Sequence, residues 1–282
     1  MKPVCFVIPF FIQPKHWFDP RPRRMPKYFE CFLHSFEKNG LADLKIFTNA
    51  NIQRSWRQGS TTTEIHRMSF RAFKRLISQK LDINADPITP YKLCDFKPMF
   101  GLIFDDYLKP YQFWGYCDID MVIGHLKTMI PPSALESADL ITVSRKIAGY
   151  MTLYRNTPEI SNLFRRSPDC EKVLHSRKHY CFDEVGNRKG IVAMLQVLER
   201  SPDIKVARIE GLVHNDSGSM NVDRDWVYEW QDGHLMDVID QVEVGSLHLV
   251  KSKRRQDFSV PSLKGGQQFN RIQVTPQGIA YG

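Results

Sequence analysis

Phe113-Trp114-Gly115-Tyr116-Cys117-Asp118-Ile119-Asp120-Met121-Val122-Ile123-Gly124 is an apolar, aromatic-rich run interrupted by two carboxylates at i and i+2. Such a run reads as a buried strand. Side chains alternate along extended backbone, so Asp118 and Asp120 fall on one side of it. Two carboxylates held that close repel each other, and a fold keeps them together when a cation neutralises them. Hard oxygen ligands suit Mg²⁺ or Mn²⁺, commonly shared with a substrate's phosphates. A strand running into a solvated acidic turn is the alternative for a bare Asp-x-Asp; the apolar strand ahead of the pair brings the metal reading level with it.

Upstream, Val4 to Ile8, bounded by Pro3 and Pro9, reads as the first, central strand. A loop rich in Pro, Arg and aromatics follows from Phe11 to Pro26, where a ligand would meet the end of that strand. Pro26 suits the first turn of a helix. Tyr28, Phe29, Phe32, Leu33 and Phe36 recur at helical spacing up to the stop signal Asn39-Gly40. Leu44 to Thr48 is a second strand, so the chain opens as a βαβ unit with a right-handed crossover. A polar stretch from Asn51 to Thr63 precedes a helix over Phe70 to Leu81. In Tyr91-Lys92-Leu93-Cys94-Asp95-Phe96-Lys97-Pro98, Asp95 is a candidate N-cap for a helix carrying Phe100, Ile103, Phe104 and Tyr107 on one face.

Downstream, Ala138 to Val143 and Gly149 to Asn156 read as strands, and Glu159 to Phe164 and Gly190 to Leu198 as helices. His175 and His179 fall in a basic surface loop. Short strands and turns fill 205–214 and 227–250. The Gly-, Gln- and Lys/Arg-rich end reads as a loosely held tail. The pattern predicts one α/β domain over 1–250, a mostly parallel central sheet flanked by helices, with a basic C-terminal tail over 251–282.

The chain has 282 residues, 42% of them hydrophobic, which is enough for a large folded core, and a formal net charge of +8. The basic residues cluster at Lys15 to Lys27, Arg165 with Arg166, Arg177 with Lys178, and Lys251 to Arg255. Such clusters favour nucleotide phosphates, nucleic acid or an acidic membrane face, or else form a solvated surface. The six cysteines show no Cys-x-x-Cys pairing, which argues against a structural zinc site and suits a reducing cytosol. The first twelve residues resemble a signal peptide only superficially, because Pro9 interrupts the apolar run and no small-residue cleavage site follows. No segment reaches the roughly 18 apolar residues needed to span a bilayer. A cytoplasmic protein is expected, peripheral on the inner membrane where its substrates are membrane-bound.

Phe113 to Asp120, preceded by Lys92-Leu93-Cys94-Asp95-Phe96-Lys97-Pro98 and followed by Gly149-Tyr150-Met151-Thr152-Leu153-Tyr154-Arg155-Asn156 and Phe182-Asp183-Glu184, resembles a family of bacterial proteins from surface-polysaccharide (capsule or lipopolysaccharide) loci. These are regarded as GT-A-fold glycosyltransferases, distantly similar to glycosyltransferase families 8 and 32. The resemblance implies a Rossmann-like GT-A fold with a nucleotide resting on the first βαβ region, near Pro9 and Phe10. It implies a hexosyltransferase using Mn²⁺ or Mg²⁺, a UDP-sugar or other nucleotide-sugar donor, and a saccharide acceptor that can be lipid-linked. Asp120 would ligate the metal directly, Asp118 would hold the metal or the ribose, and His248 would be the third ligand. A strand histidine in a partly buried place is the alternative for His248. Lys251 and Lys253 would clamp phosphate oxygens. Asp95 and Lys97, with Lys92 as a lesser candidate, would grip donor-sugar hydroxyls. Asp183 and Glu184 would supply the base that an inverting transfer needs, or form an acidic helix start. Tyr154, Arg155 and Asn156 would line the acceptor side, unless Tyr154 is core.

Two other classes fit parts of the sequence. A metal-dependent phospho- or nucleotidyltransferase also uses paired aspartates, but would prefer a glycine-rich phosphate loop or a third nearby carboxylate. A non-catalytic nucleic-acid binder would explain the charge, yet no recognition helix or RNA-binding sheet signature accompanies it. No nucleic-acid partner is expected.

Overall fold

Residues of the first strand, β1 (Val4–Phe10), alternate between two cores: Cys5 and Val7 point to one, Val4, Phe6 and Ile8 to the other. That is the signature of a strand buried on both faces. The computed structural model describes residues 2–13, 24–53, 60–143, 147–186, 190–216, 226–262 and 269–282. The basic cluster from Lys15 to Lys27 and the ligand-facing loop after Phe11 therefore lie largely outside the described residues, as does the middle of the 51–63 stretch.

β1 pairs in parallel with β2 (Ala42–Thr48), and β2 in turn with β3 (Thr63–Arg67). On its other side β1 pairs in parallel with β4 (Phe113–Cys117). Past Asp118 to Asp120 the chain forms β5 (Met121–Ile123), which leaves this sheet. β6 (Leu140–Val143), β7 (Met151–Arg155) and β8 (Val206–Ile209) complete the main sheet, in the order β3-β2-β1-β4-β7-β6-β8. Only β7 runs antiparallel to its neighbours. The expectation of a mostly parallel sheet with flanking helices therefore holds.

One face carries α1 (Phe29–Glu37), whose Phe29, Phe32, Leu33 and Phe36 are buried. The other face carries α2 (Phe70–Leu81), capped by the Ser69 hydroxyl accepting from the Ala72 N–H, and the 3₁₀ segment Tyr91–Met99. Within that second core Trp114 stacks on Tyr154 at 4.4 Å and 5°, a contact adding about 0.5–1.5 kcal/mol beyond area burial.

Two smaller sheets close the C-terminal half. β13 (Ser246–His248) lies between β5 and β9 (His214–Asn215) in the order β5-β13-β9. The other sheet contains β10 (Tyr228–Gln231), β11 (His234–Asp237), β12 (Val242–Val244), β14 (Arg271–Thr275) and β15 (Gly278–Tyr281). Its order is β12-β11-β10-β14-β15. Trp230, fully buried, donates its indole N–H to the Ile123 carbonyl at 2.9 Å and ties this sheet to β5.

Several expectations are corrected. The end of the chain is no loose tail: β14 pairs with β10, and Ile272, Val274 and Ile279 are buried. Three alternating apolar residues suffice for an edge hairpin, and the surrounding Gly, Gln and Arg hide them. β3 replaces the end of the polar stretch, its outer side chains half exposed as on an edge strand. The helix expected from Phe100 to Tyr107 breaks at Phe104 into two single turns. Asp95 lies inside the 3₁₀ segment and caps no helix.

Candidate active site

The C-terminal ends of β1 and β4 lie side by side, and a cavity of about 410 Å³ opens over them. Pro9, Phe10, Phe11 and Tyr28 supply one wall; Tyr91, Cys94 and Lys97 supply another. Asp118, Asp120 and Lys253 lie along the third. Crevices beyond the carboxyl ends of parallel strands are where open α/β sheets bind ligands.

Asp118 and Asp120 converge here, though the strand that would align them has already ended. β4 stops at Cys117, and the next three residues turn the chain from the main sheet into β5. The turn is pinned by the Asp118 N–H donating to the Tyr150 carbonyl at 3.0 Å. β5 pairs antiparallel with β13 so that His248 lies opposite Met121, and the Leu249 N–H donates to the Asp120 carbonyl at 2.9 Å. That register carries His248 Nε2 to 3.4 Å from Asp120 and 3.7 Å from Asp118. One ligand atom from each of the three lies within 4.8 Å of the others. Burial lowers the His248 imidazole pKa, outweighing the pull of Asp118, and keeps the ring neutral. Its Nδ1 is buried and finds no hydrogen-bond partner among the described residues, and Tyr150 packs against the ring at 5.0 Å.

Two ammonium groups meet the aspartates. Lys97 Nζ donates to Asp118 at 2.7 Å and to the Gly149 carbonyl at 2.5 Å. Lys253 pairs with Asp120. Burial alone would lower the Lys97 pKa; Asp118 and Asp183 override it and hold the group above its ordinary range. Burial lowers the Lys253 pKa, with Asp118 acting against it. Lys253 stands on a turn organised by Asp216, a residue the sequence reading missed. The Asp216 carboxylate accepts the Val250, Lys251 and Ser252 N–H groups at 2.6, 2.8 and 2.7 Å and the Ser252 hydroxyl. Acidic residues that organise a turn from a distance leave no spacing signal.

Asp183 and Glu184 approach from the opposite side. Glu184 accepts the Gly149 N–H at 2.9 Å, and Asp183 Oδ2 lies 3.8 Å from Lys97 Nζ. A Cβ at Gly149 would fall 2.5 Å from Asp183 Oδ2 and 2.6 Å from Glu184 Cγ, so only glycine admits both carboxylates. Burial pushes the Asp183 carboxyl up to about 8, despite the opposing field of Lys97.

The structure therefore brings Pro9, Phe10, Lys97, Asp118, Asp120 and Lys253 to the cavity wall, with His248 against the two aspartates and with Asp183 and Glu184 behind Lys97 and Gly149, outside the lining. It does not bring the others. Asp95 is fully buried, lines no part of the cavity, and spends its carboxylate on Lys92 and on backbone N–H groups. A grip on donor hydroxyls is closed to it. Lys251 is exposed and absent from the cavity wall, because the Asp216 turn alternates it outward while aiming Lys253 inward. β7 pairs Met151 with Cys117 and Arg155 with Phe113, so Tyr154, Arg155 and Asn156 sit toward the far edge of the sheet. There Arg155 and Asn156 bind backbone carbonyls, and Tyr154 is core. From that motif the site takes Gly149 and Tyr150 instead. His179 is no free surface residue: its Nε2 lies 3.6 Å from Asp95, and its ring packs on Tyr91.

Residues 23–281 match a family of unknown function, DUF6625. The chain belongs to this family. No curated protein matches it. Among solved structures, the chain is similar to an inferred nucleotide-diphospho-sugar transferase from Desulfovibrio desulfuricans G20, at 14% identity and a TM-score of 0.34, over 74% of this chain and 80% of that one. Among the described residues, no helix is long and apolar enough to cross a membrane.

Proposed function

We propose that this chain is a GT-A-type glycosyltransferase that moves a hexosyl group from a nucleotide-sugar donor, with UDP the first nucleotide to test, to a saccharide acceptor of bacterial surface-polysaccharide synthesis. The observation that carries this reading is the convergence of Asp118, Asp120 and His248, with Lys97 and Lys253 beside them, at the mouth of a cavity over the ends of β1 and β4.

Two carboxylates and a neutral imidazole form a suitable donor set for Mn²⁺ or Mg²⁺. When bound, the ion offsets charge gathering on the departing nucleoside diphosphate. The remaining work falls to the chain. Pro9, Phe10, Phe11 and Tyr28 offer a largely apolar wall to a nucleobase and ribose. Lys253 can turn from Asp120 to a phosphate oxygen, since a diphosphate presents more negative charge than one carboxylate. Lys97, held by Asp118 and the Gly149 carbonyl, fixes the Asp118 side of the site relative to Asp183. In an inverting transfer the acceptor oxygen bonds to the sugar's anomeric carbon, the bond from that carbon to the diphosphate oxygen breaks, and the acceptor's proton passes to a carboxylate, for which Asp183 is the candidate. Peripheral contact with anionic lipid would bring lipid-linked acceptors within reach. Indifference of the protein to anionic liposomes at moderate salt would remove that part.

The test is a screen of UDP-, GDP- and CMP-sugars with and without Mn²⁺, read by nucleotide release and thermal shift. The expected result is Mn²⁺-dependent release of UDP that disappears in Asp120→Ala. Release of UMP instead would mean that the sugar phosphate is transferred, and release of sugar 1-phosphate that the nucleotidyl group is; either would mean a P–O bond breaks and would make the protein a phospho- or nucleotidyltransferase. No response to any nucleotide would sink both readings.

A further inference from the structure

The pair formed by Lys92 and Asp95 has both side chains sealed from solvent at an Nζ–Oδ2 distance of 2.7 Å. A sealed ion pair seldom stabilises a fold more than an apolar pair would, because both charges lose their hydration. Its presence is explained by what its remaining valences hold. Asp95 accepts the Tyr180 N–H at 2.9 Å through Oδ2 and the Phe182 N–H at 2.9 Å through Oδ1. Lys92 donates to the Lys178 carbonyl at 2.7 Å and lies 4.9 Å from the centre of the Tyr180 ring. Every one of these contacts goes to one irregular segment, 178–182, in which Cys181 takes a left-handed φ of 54°. Locally the Cys181 carbonyl accepts the Glu184 and Gly186 N–H groups at 3.1 and 3.0 Å, which closes the turn after it, while the N–H groups of Tyr180 and Phe182 on either side are held by Asp95. A non-glycine residue in the left-handed region costs energy that its surroundings must outweigh.

The same segment runs directly into Asp183 and Glu184, and the 3₁₀ segment that carries Lys92 and Asp95 also carries Lys97. A single short element thus presents Lys97 to Asp118 and Asp183 at one end, and at the other fixes the backbone from which Asp183 projects.

We propose that Asp95, together with Lys92, is a positioning residue that sets the placement of Asp183 and Glu184 against the cavity, and that it makes no contact with the donor. The proposal rests on the glycosyl-transfer reading for its kinetic arm and on the fold alone for its structural arm. A misplacement of about 1 Å in a reacting group costs on the order of 100-fold in rate. Holding that placement is the role assigned to the pair.

Replacing Asp95 alone would strand the Lys92 charge in the interior, so the informative variant is the double replacement Lys92→Met with Asp95→Asn, which removes both charges. Two measurements are made on the full chain. Amide hydrogen exchange, which needs no activity, is expected to rise in 178–184 and to stay at the wild-type level in β1, β4 and β13. Steady-state kinetics are expected to show kcat lower by on the order of 100-fold, with the KM for the donor and the affinity for nucleoside diphosphate with Mn²⁺ unchanged within about twofold. A raised donor KM at unchanged kcat would overturn the proposal, since Asp95 would then touch the donor. Unchanged exchange in 178–184 would overturn it as well. If the wild-type protein turns over no sugar nucleotide, the glycosyl-transfer reading fails, while the exchange result still decides whether the pair holds the segment.

Discussion

Lys97 and Lys92 stand on one 3₁₀ segment and each holds an aspartate at 2.7 Å, Lys97 reaching Asp118 just past β4 and Lys92 reaching Asp95 within the segment, yet the two pairs serve opposite ends. The Asp118 side chain is 35% exposed and faces the cavity; Asp95 is fully buried and faces backbone. In the first pair a ligand can compete for either partner. In the second every valence is already spent inside the protein. Residue type is the same in both pairs, and only solvent access and the remaining hydrogen-bond partners separate a binding charge from a structural one.

That contrast can be broken most severely at the sealed pair. Asp95→Ala leaves Lys92 buried without a counter-charge and is expected to destabilise the fold by about 3–5 kcal/mol, measured by urea unfolding. Asp118→Asn, at the open pair, leaves Lys97 with the Gly149 carbonyl and Asp183 as partners and is expected to cost less than Asp95→Ala in the same measurement. Equal losses would mean that the two pairs do the same job. In turnover the order should reverse around the metal candidates: Asp120→Ala is expected to lose more than about 100-fold in nucleotide release, while Asp118→Asn weakens nucleotide binding and keeps part of the metal dependence.

The Asp183 carboxyl sharpens the comparison through pH. Its folded value of about 8 stands above the ordinary 3.8, so between these values the folded state holds a proton that the unfolded state has released. Stability is therefore expected to fall as pH rises through that window and to level off above about 8. Asp183→Asn should flatten this part of the urea-derived profile. If Asp183 is the base of the transfer, kcat should rise with pH through the same upper limit. Smaller again is Lys253→Met, expected to raise the donor KM about tenfold through loss of one charge-assisted contact. Lys251→Met, on an exposed side chain outside the cavity, should stay within about 0.5 kcal/mol in stability and leave KM unchanged.

Much of the main sheet was legible because its strands are short, apolar and punctuated by Pro and Gly, and α2 because Phe73, Leu76 and Ile77 recur at helical spacing. β3 was not, since an edge strand needs no apolar inner face, and neither was β14–β15, whose few apolar residues are diluted by polar neighbours. In the site, Asp118, Asp120 and His248 could be named together from the resemblance, and their meeting depends on a strand register that no local pattern encodes. Asp95 and Arg155 were misplaced for a common reason: residue type announces charge, while burial and sheet direction decide which side of the molecule receives it. Asp216 and the closure of Gly149 on two carboxylates became visible only in three dimensions.

The pairing of β13 with β5 fixes when the site can come into being during synthesis. Asp118 and Asp120 leave the ribosome with the first half of the chain, but their histidine arrives only when Ser246–His248 docks, and Lys253 only after that. A chain halted before β13 carries both aspartates and the main sheet, yet lacks the imidazole and ammonium that complete the cluster. On the proposed reading, the cluster is completed only after the whole main sheet has been made.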